Sequence, residues 1–231
     1  MAPRNFPIVL SVKRNSGSWR GNDANIESND DAFKAVREDI LKHNRYTCKF
    51  CGFESRKYQH VHHRDNDHSN NNKGNLLVAC AYCHQSHHVG FAGVGGESVL
   101  IHFSARSQVW INHLTRLYFV SQLQTPNKWS KKIAQIYTMI KTEGQQNLHK
   151  VYGQEMSEMK SDNPTWLANF LMGLDEDAYK DRINWGANFN SLRLLPIADG
   201  DKDRLRYWSE IMSPVEEWGL IVGDETMDSN F

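Results

Sequence analysis

The only four cysteines of this chain form two closely spaced pairs, and no other feature restricts its fold as strongly. Cys48 and Cys51 make one Cys-x2-Cys pair, and Cys80 and Cys83 make the other, with 28 residues between the two pairs. Four thiolates match the tetrahedral preference of Zn2+, and each short spacing lets a tight turn present two sulfurs to one ion. The sequence therefore predicts a closed, structural zinc site. Two disulfides or four buried thiols are the alternatives.

Size and charge narrow the class of protein further. The 231 residues suffice for one large domain or two small ones, each with a hydrophobic core. Lys+Arg and Asp+Glu both number 27, so the chain lacks the basic excess of a protein held mainly by phosphate contacts. No apolar run approaches the ~20 residues that span a bilayer, and Met1–Ser11 lacks an apolar signal core. We expect a cytoplasmic protein without direct membrane insertion, where reducing conditions favour metal over disulfides.

The remaining pattern predicts an α+β protein: an HNH-like ββα core with the four-cysteine zinc site, plus a mostly helical C-terminal part. We place the zinc-binding domain at 1–105 and the helical domain, which ends in an acidic tail from Gly223, at 106–231. In the first domain we expect a strand at 6–13, a helix near 31–43, a glycine-rich connector at 90–96 and a strand at 98–103.

In the second domain, Trp129, Ile133, Ile136, Tyr137 and Ile140 form an apolar stripe at helical spacing behind Pro126, which suits a first helical turn. A further helix opens at Asn163-Pro164, with Trp166, Phe170 and Leu174 on one face. Residues 192–195 predict a short buried strand or extended segment, and the region near 201–212 predicts a last helix.

Histidines between and after the cysteine pairs predict a second metal site. His62 and His63 are adjacent on a predicted strand, so their side chains point to opposite faces. His84 and His88 are four residues apart, on one face of a predicted helix, and can share an ion with His62. Three imidazoles leave one coordination position open, as catalytic metals require. The ion would be Mg2+, Mn2+, Ni2+ or Zn2+.

The same spacing is typical of the HNH, or ββα-metal, nuclease motif and resembles the colicin-type nuclease domains. In that reading His63 is the general base that activates water, and Asn75 bonds across the loop and orients it. The metal stabilises charge on the phosphate and the leaving oxygen. Alternatively, the histidines are remnants of the fold. Asp65 and Asp67 would repel a phosphodiester, although they are alternative metal ligands. His60, His68 and His87 are left out of the site as surface residues.

Beyond the zinc segment, most of the chain resembles the IcmJ/DotN family of type IVB secretion systems, with residues 105–190 matching poorly. The resemblance rests on short shared motifs, which are Leu10–Arg14, Ser18-Trp19-Arg20, Ala32–Lys34, Val36-Arg37, Arg45–Phe53, Asn75-Leu76 with Cys80 and Cys83, and Leu192–Pro196. It implies a cytosolic, HNH-like zinc scaffold that binds the type IV coupling protein, a membrane-linked ATPase that receives substrates.

The resemblance therefore favours a scaffold subunit of a type IVB secretion or conjugation coupling-protein complex that helps substrate recruitment, brought to the inner membrane through its partner. The histidine set keeps a second function open, since family members have a degraded set whereas this chain retains His62, His63, Asn75, His84 and His88. That alternative is an active metal-dependent HNH endonuclease that cuts or nicks DNA. A DNA-binding zinc module without catalysis is the third reading.

Overall fold

A computed structural model describes residues 6–14, 31–65, 70–153 and 162–212. The described helices are α1 (Asp31–His43), α2 (Ala81–Ser86), α3 (Val89–Val94), α4 (Gln108–Ser121), α5 (Lys128–Tyr152), α6 (Thr165–Gly173), α7 (Glu176–Asp181), α8 (Ala187–Asn190) and α9 (Lys202–Ile211). The described strands are β1 (Gln59–His63), β2 (Leu76–Cys80), β3 (Ser98–His102) and β4 (Leu192–Pro196), and short 3-10 turns span Lys73–Asn75 and Arg182–Asn184. This mixture of helices and small antiparallel sheets confirms the predicted α+β class.

The first sheet carries three of the predicted site residues, His62, His63 and Cys80. β1 and β2 pair antiparallel, with Gln59 opposite Cys80 and His63 opposite Leu76. Helix α1 covers one face of this pair, where Phe33 and Ile40 form an apolar cluster with neighbouring strand residues. Helix α2 begins directly after Cys80, so the local order is strand, strand, helix.

The second sheet joins distant parts of the chain. β3 and β4 pair antiparallel, with Ser98 opposite Pro196 and His102 opposite Leu192. Helices α4, α5 and α9 pack on this sheet around a core that includes Ile101, Ile140 and Trp208. β3 precedes the predicted domain boundary at 105 and β4 lies beyond it, so one sheet contains strands from both predicted domains. The division into 1–105 and 106–231 stays a prediction.

Several predicted elements are confirmed with small shifts in their limits. These are the helix near 31–43, the strand at 98–103 (observed as Ser98–His102), the strand at 192–195 (observed as Leu192–Pro196) and the last helix (observed as Lys202–Ile211). The apolar stripe from Trp129 to Ile140 lies on α5, which buries Ile133, Tyr137 and Ile140. Pro126 precedes that helix, since Asn127 caps it by accepting hydrogen bonds from the backbone N–H groups of Trp129 and Ser130.

The predicted strand at 6–13 is wrong. This segment forms no regular sheet and instead bonds to separate elements: Phe6 N–H donates to Lys49 O, Ser11 N–H donates to Ser86 O, and Val89 N–H donates to Ser11 O. Leu10 and Val12 are buried all the same. Ser11 and Lys13 are buried as well, so burial does not alternate along the segment, and its hydrogen-bond partners belong to a loop and a helix end.

The glycine-rich connector is also wrong, because residues 89–94 form α3. Gly93 permits this helix to approach α6 closely: a Cβ there would lie 2.5 Å from Asn163 Oδ1 and 2.6 Å from the Thr165 backbone nitrogen. The glycine thus serves packing, and its conformational freedom is not used.

Helix α6 confirms the helix predicted to open at Asn163-Pro164, and it begins at Thr165. It buries Leu167, Ala168 and Leu171, while Phe170 remains 47% exposed. The sequence motifs that fall outside the described residues are Trp19-Arg20 with Ser18, Asp67, His68 and the tail from Gly223.

Candidate metal centre

The four cysteines converge on one buried point. Their sulfur atoms all lie within 4.8 Å of one another, and Cys51 Sγ lies 3.7 Å from Cys80 Sγ. A tetrahedral zinc ion with Zn–S bonds of ~2.3 Å requires sulfurs about 3.8 Å apart. All four thiols are free and buried, and 3.7 Å is far beyond the ~2.05 Å of a disulfide. The cluster can hold a metal ion such as zinc.

Local turns explain how each pair presents two sulfurs. Around the first pair, Cys48 N–H donates to Phe53 O at 3.0 Å and Gly52 N–H donates to Cys48 O at 2.9 Å. Gly52 has a φ of 74°, a left-handed conformation that glycine adopts without strain. In the second pair, Cys80 ends β2 and caps α2, and Cys83 lies within that helix. Each pair therefore has its own rigid turn.

Helix α4 supplies polar partners to these sulfurs. Arg116 is 1% exposed, and its Nη2 donates to Cys80 Sγ at 3.0 Å. Asn112 Nδ2 donates to Cys83 Sγ at 3.4 Å. His113 Nε2 donates to Cys51 O at 3.0 Å. These groups surround the cysteine cluster from a part of the chain outside the predicted zinc domain.

Charge explains the position of the arginine. Burial raises the pKa of the Cys48 and Cys83 thiols, because the apolar interior disfavours charged sulfur. Four thiolates are therefore stable together only beside compensating cations. Four thiolates around Zn2+ carry a net charge of −2, and a guanidinium next to them reduces it to −1. Although burial alone lowers the pKa of Arg116, the adjacent sulfurs of Cys80, Cys51 and Cys83 raise it overall. Arg116 therefore stays charged.

Sequence reasoning missed Asn112 and Arg116, but a signal for them exists. Gln108, Asn112 and Arg116 recur every four residues along α4, between buried positions such as Ile111 and Leu114. A polar row at helical spacing inside an apolar helix indicates that its members have buried partners. Here two of those partners are the cysteine sulfurs.

The structure also brings His62, His84 and His88 together. One ring nitrogen from each lies within 4.8 Å of the others. The ring centroids of His84 and His88 are 4.5 Å apart, and those of His62 and His88 are 5.6 Å apart. Burial and the neighbouring histidines lower the pKa of His84 well below its usual value, which keeps the ring in the neutral form that binds metals.

The helical geometry predicted for this group needs correction. Helix α2 ends at Ser86, and His88 occupies the N-cap of α3 with φ −131° and ψ 52°. His84 and His88 therefore do not share one continuous helix face, although their rings still meet.

His60 and His87, predicted to be surface residues outside the site, both contact it. The ring of His60 stacks on His84 with centroids 4.7 Å apart and planes 5° apart. His87 is 9% exposed, and its ring stacks on His62 at 4.5 Å. For His60 a signal existed, because residues 60 and 62 of a strand lie on the same face.

His63 lies on the opposite side of β1, and Asn75 ends the 3-10 turn that precedes β2. The ring of His63 stacks on Phe33 of α1 with centroids 5.3 Å apart, as expected from strand alternation. Its Nε2 forms a 3.0 Å hydrogen bond with Asn71 Oδ1, a partner that the sequence did not indicate. Asn75 does bond across the loop, but to Asp65 and Asn70. His63 is 1% exposed, so its ring is sheltered from bulk water.

Fold and site together define a class: a mixed helix-and-strand protein with a buried four-cysteine cluster suited to zinc and a second group of three histidines. No family model matches this chain. The chain is similar to the type 4 apparatus protein DotN of Legionella pneumophila, with 28% identity over 213 residues that cover 90% of this chain and 93% of that protein. This similarity supports the resemblance to the IcmJ/DotN family. Because the similarity covers 90% of this chain, it must include most of residues 105–190, which the sequence motifs matched poorly.

In the described part of the chain, none of the helices combines the length and apolar character needed to cross a bilayer.

Proposed function

We propose that this protein is a zinc-stabilised, HNH-like scaffold subunit of a type IVB secretion or conjugation coupling-protein complex, where it helps substrate recruitment. The observation that carries this proposal is the similarity to a type 4 apparatus protein along nearly the whole length of both chains. Similarity of that extent favours a shared role in the same kind of assembly. The protein would act in the cytoplasm and reach the inner membrane through the coupling ATPase.

The metal centre is consistent with a scaffold. Four buried thiolates around Zn2+ fill every coordination position, so the ion would stabilise the fold and take no part in chemistry. The order β1, β2, α2 around the cysteine cluster supports an HNH-like core. The near-complete burial of His63 favours a structural role for this residue, because a general base must reach the water that it activates.

Association with the coupling protein tests the scaffold function. Purified protein and the cytoplasmic portion of the cognate coupling ATPase are mixed at micromolar concentration and separated by size-exclusion chromatography with light scattering. We expect one co-eluting complex of defined mass. Separate elution at concentrations of tens of micromolar would contradict the proposal.

A specific observation favours the second candidate function, a metal-dependent HNH endonuclease. The grouping of His62, His84 and His88 would hold a divalent ion beside the strand that carries His63. Nicking of supercoiled plasmid with Mg2+, Mn2+, Ni2+ or Zn2+ decides it, with His63→Ala as the matched variant. Cleavage by the wild type that is lost in His63→Ala supports an enzyme, and equal absence of cleavage in both rejects it.

Metal content separates the two proposed sites. Mass spectrometry under native conditions should count one tightly held zinc per chain for the cysteine cluster. A second, weaker metal that disappears in His84→Ala, but persists in the exposed-site control His149→Ala, would assign an ion to the three histidines. Loss of the tight zinc in His84→Ala would contradict two independent sites.

A further inference from the structure

A cavity of about 240 Å3 lies next to the histidine group and outside the cysteine cluster. The N-terminal segment forms one wall, the β1–β2 pair a second wall, and the turn after α7 a third. Its polar lining consists of Ser11, His62, Arg64, His87 and Arg182. The rest of the lining is apolar and includes Phe6 and Leu77. The cavity therefore combines an apolar wall with a cluster of nitrogen-bearing side chains.

Two arginines make this cavity a site for negative charge. Arg64 is exposed, with one long 3.5 Å hydrogen bond from Nη1 to Gly74 O. Arg182 donates from Nε to Leu10 O at 3.4 Å and from Nη1 to Tyr179 O at 2.5 Å. Its Nη2 has no partner among the described residues. None of the described lining side chains is acidic. The guanidinium of Arg64 lies 5.3 Å over the ring of Phe6, and that of Arg182 lies 3.8 Å over the ring of Tyr179, with Glu176 outside the lining as its nearby negative charge.

His87 supplies a buried polar atom without a partner. Its Nδ1 lies 3.2 Å from Ser11 Oγ, whereas its Nε2 is buried and unpaired within the described part of the chain. Leaving such a nitrogen unpaired is costly, and His87 is one of the residues that line the cavity. The Ser11 hydroxyl also lies 3.3 Å from the His87 backbone oxygen. In the arrangement where it donates to Nδ1 instead, the proton of the neutral ring sits on Nε2, which can then donate to an anion.

We propose that the cavity binds a carboxylate attached to an apolar group, the chemistry of an acidic residue beside an apolar residue in a partner peptide. A planar carboxylate suits the guanidinium groups of Arg64 and Arg182, and Phe6 and Leu77 receive the apolar part. DNA is disfavoured, because a duplex is held by cationic contacts with many phosphates along its backbone and the chain has zero formal net charge. In naming a partner peptide, the proposal rests on the scaffold function given above.

Titration of the full-length protein with minimal probes tests this assignment. Backbone and arginine Nε signals in 1H–15N NMR spectra report binding of 3-phenylpropionate, of its neutral amide, and of inorganic phosphate. We expect 3-phenylpropionate to shift signals from the cavity with at least tenfold higher affinity than either control. The acetylated, amidated dipeptide Leu-Glu should bind at the same place, and the dipeptide Leu-Gln should bind at least tenfold more weakly.

Arg64→Gln provides the matched variant, since its side chain is exposed and its loss leaves the core intact. Removing one charge-assisted contact should weaken 3-phenylpropionate binding by about tenfold. Arg206→Gln, an exposed arginine on α9 paired with Asp203, should bind as the wild type does.

Three results would overturn the assignment. Equal binding of the acid and the amide would remove the role of charge, and unchanged affinity in Arg64→Gln would place binding elsewhere. Displacement of 3-phenylpropionate by a short DNA duplex, with no binding of Leu-Glu, would assign the cavity to phosphate. These titrations need no coupling protein, so their failure is distinct from failure of the scaffold function.

Discussion

Arg116 shows how a single residue balances a metal centre from a distant element. Its guanidinium lies 3.0 Å from Cys80 Sγ and 3.9 Å over the ring of Phe53, with the ring of Trp208 at 5.3 Å. The aromatic rings exclude water, so the contact with sulfur operates at low dielectric, where both its benefit and the cost of losing it are large.

Replacing that cation should destabilise the protein and weaken its hold on zinc. Arg116→Met keeps an apolar side chain in the space but leaves the thiolates uncompensated, so we expect a loss of about 3–5 kcal/mol in the free energy of unfolding. Urea denaturation measures the loss, and zinc transfer to a chromogenic chelator should be faster. Arg116→Lys should recover part of both effects, and the exposed control Arg206→Met neither. Wild-type zinc retention in Arg116→Met would refute the charge argument.

His87 makes the stability of the protein depend on pH. Burial, together with His88 and Arg182, lowers the pKa of His87 to about 3, whereas an unfolded histidine titrates near pH ~6.5. Below that pH the unfolded chain binds a proton that the folded chain does not, so stability falls as the pH falls. Between pH 8 and pH 5 this linkage is worth about 2 kcal/mol.

The comparison with His87→Gln isolates this contribution. Over the same pH range the free energy of unfolding, measured in urea, should fall by that amount more in the wild type than in His87→Gln. His149→Gln changes an exposed histidine and should follow the wild type. Parallel pH curves for wild type and His87→Gln would show that His87 does not carry the effect.

Among the elements, the spacing of apolar residues predicted the helices and strands whose burial is determined by local sequence. The stripe on α5 buries one helix face, whereas the apolar strand Leu192–Pro196 is buried on both faces, with Leu194 and Leu195 in different core clusters. Both patterns are local, so both were predictable. Residues 6–13 were not, because the same alternation can pair with a sheet, a loop or a helix end. Residues 89–94 failed since glycine lowers helix propensity, and the compensating contact with Asn163 and Thr165 lies some seventy positions away.

The candidate site likewise contains local contacts that the sequence predicted and long-range contacts that it did not. Spacing within one segment was enough to predict that Cys48, Cys51, Cys80 and Cys83 would meet. The contacts of Arg116 with Cys80 and of Asn71 with His63 depend on tertiary packing and loop conformation, which a single sequence does not display. Of these long-range contacts, those made by the polar row on α4 had a recognisable sequence pattern.

Helix α5 offers a test of close packing between elements. A Cβ on Gly144 would lie 2.7 Å from Ile101 Cβ on β3, so Gly144→Ala should destabilise by about 1–3 kcal/mol, although alanine normally favours a helix interior. Gly173→Ala, where a Cβ would meet no atom within 4 Å, is the matched control and should be neutral or stabilising. Ile101→Ala keeps that Cβ and removes only the contacts with Cδ1 at 3.1 Å and Cγ2 at 3.2 Å, so a double-mutant cycle should show only a partial favourable coupling. Stabilisation by Gly144→Ala would contradict the packing.

For the molecule as a whole, zinc should stabilise more than the segment that contains the cysteines. β3 pairs with β4 across the predicted domain boundary, and Asn112 and Arg116 of α4 both donate to cysteine sulfurs. Removing the ion would leave four crowded thiols and a buried guanidinium without its full set of counter-charges. The disturbance therefore extends from the β1–β2 pair into α4 and the core around Trp208.

Chelation followed by hydrogen exchange measures this coupling. After treatment with a strong zinc chelator, or in Cys83→Ser, backbone amides of α4 should lose protection together with those of β1 and β2, in a single step. Helix α6 has no sulfur contact among the described residues and packs on α3 instead, so its amides should retain protection longest and serve as the internal control. Readdition of zinc should restore α4 and the strands at the same rate. Should α4 stay protected while β1 and β2 exchange, the zinc centre would stabilise only its own segment, and the two predicted domains would be energetically separate.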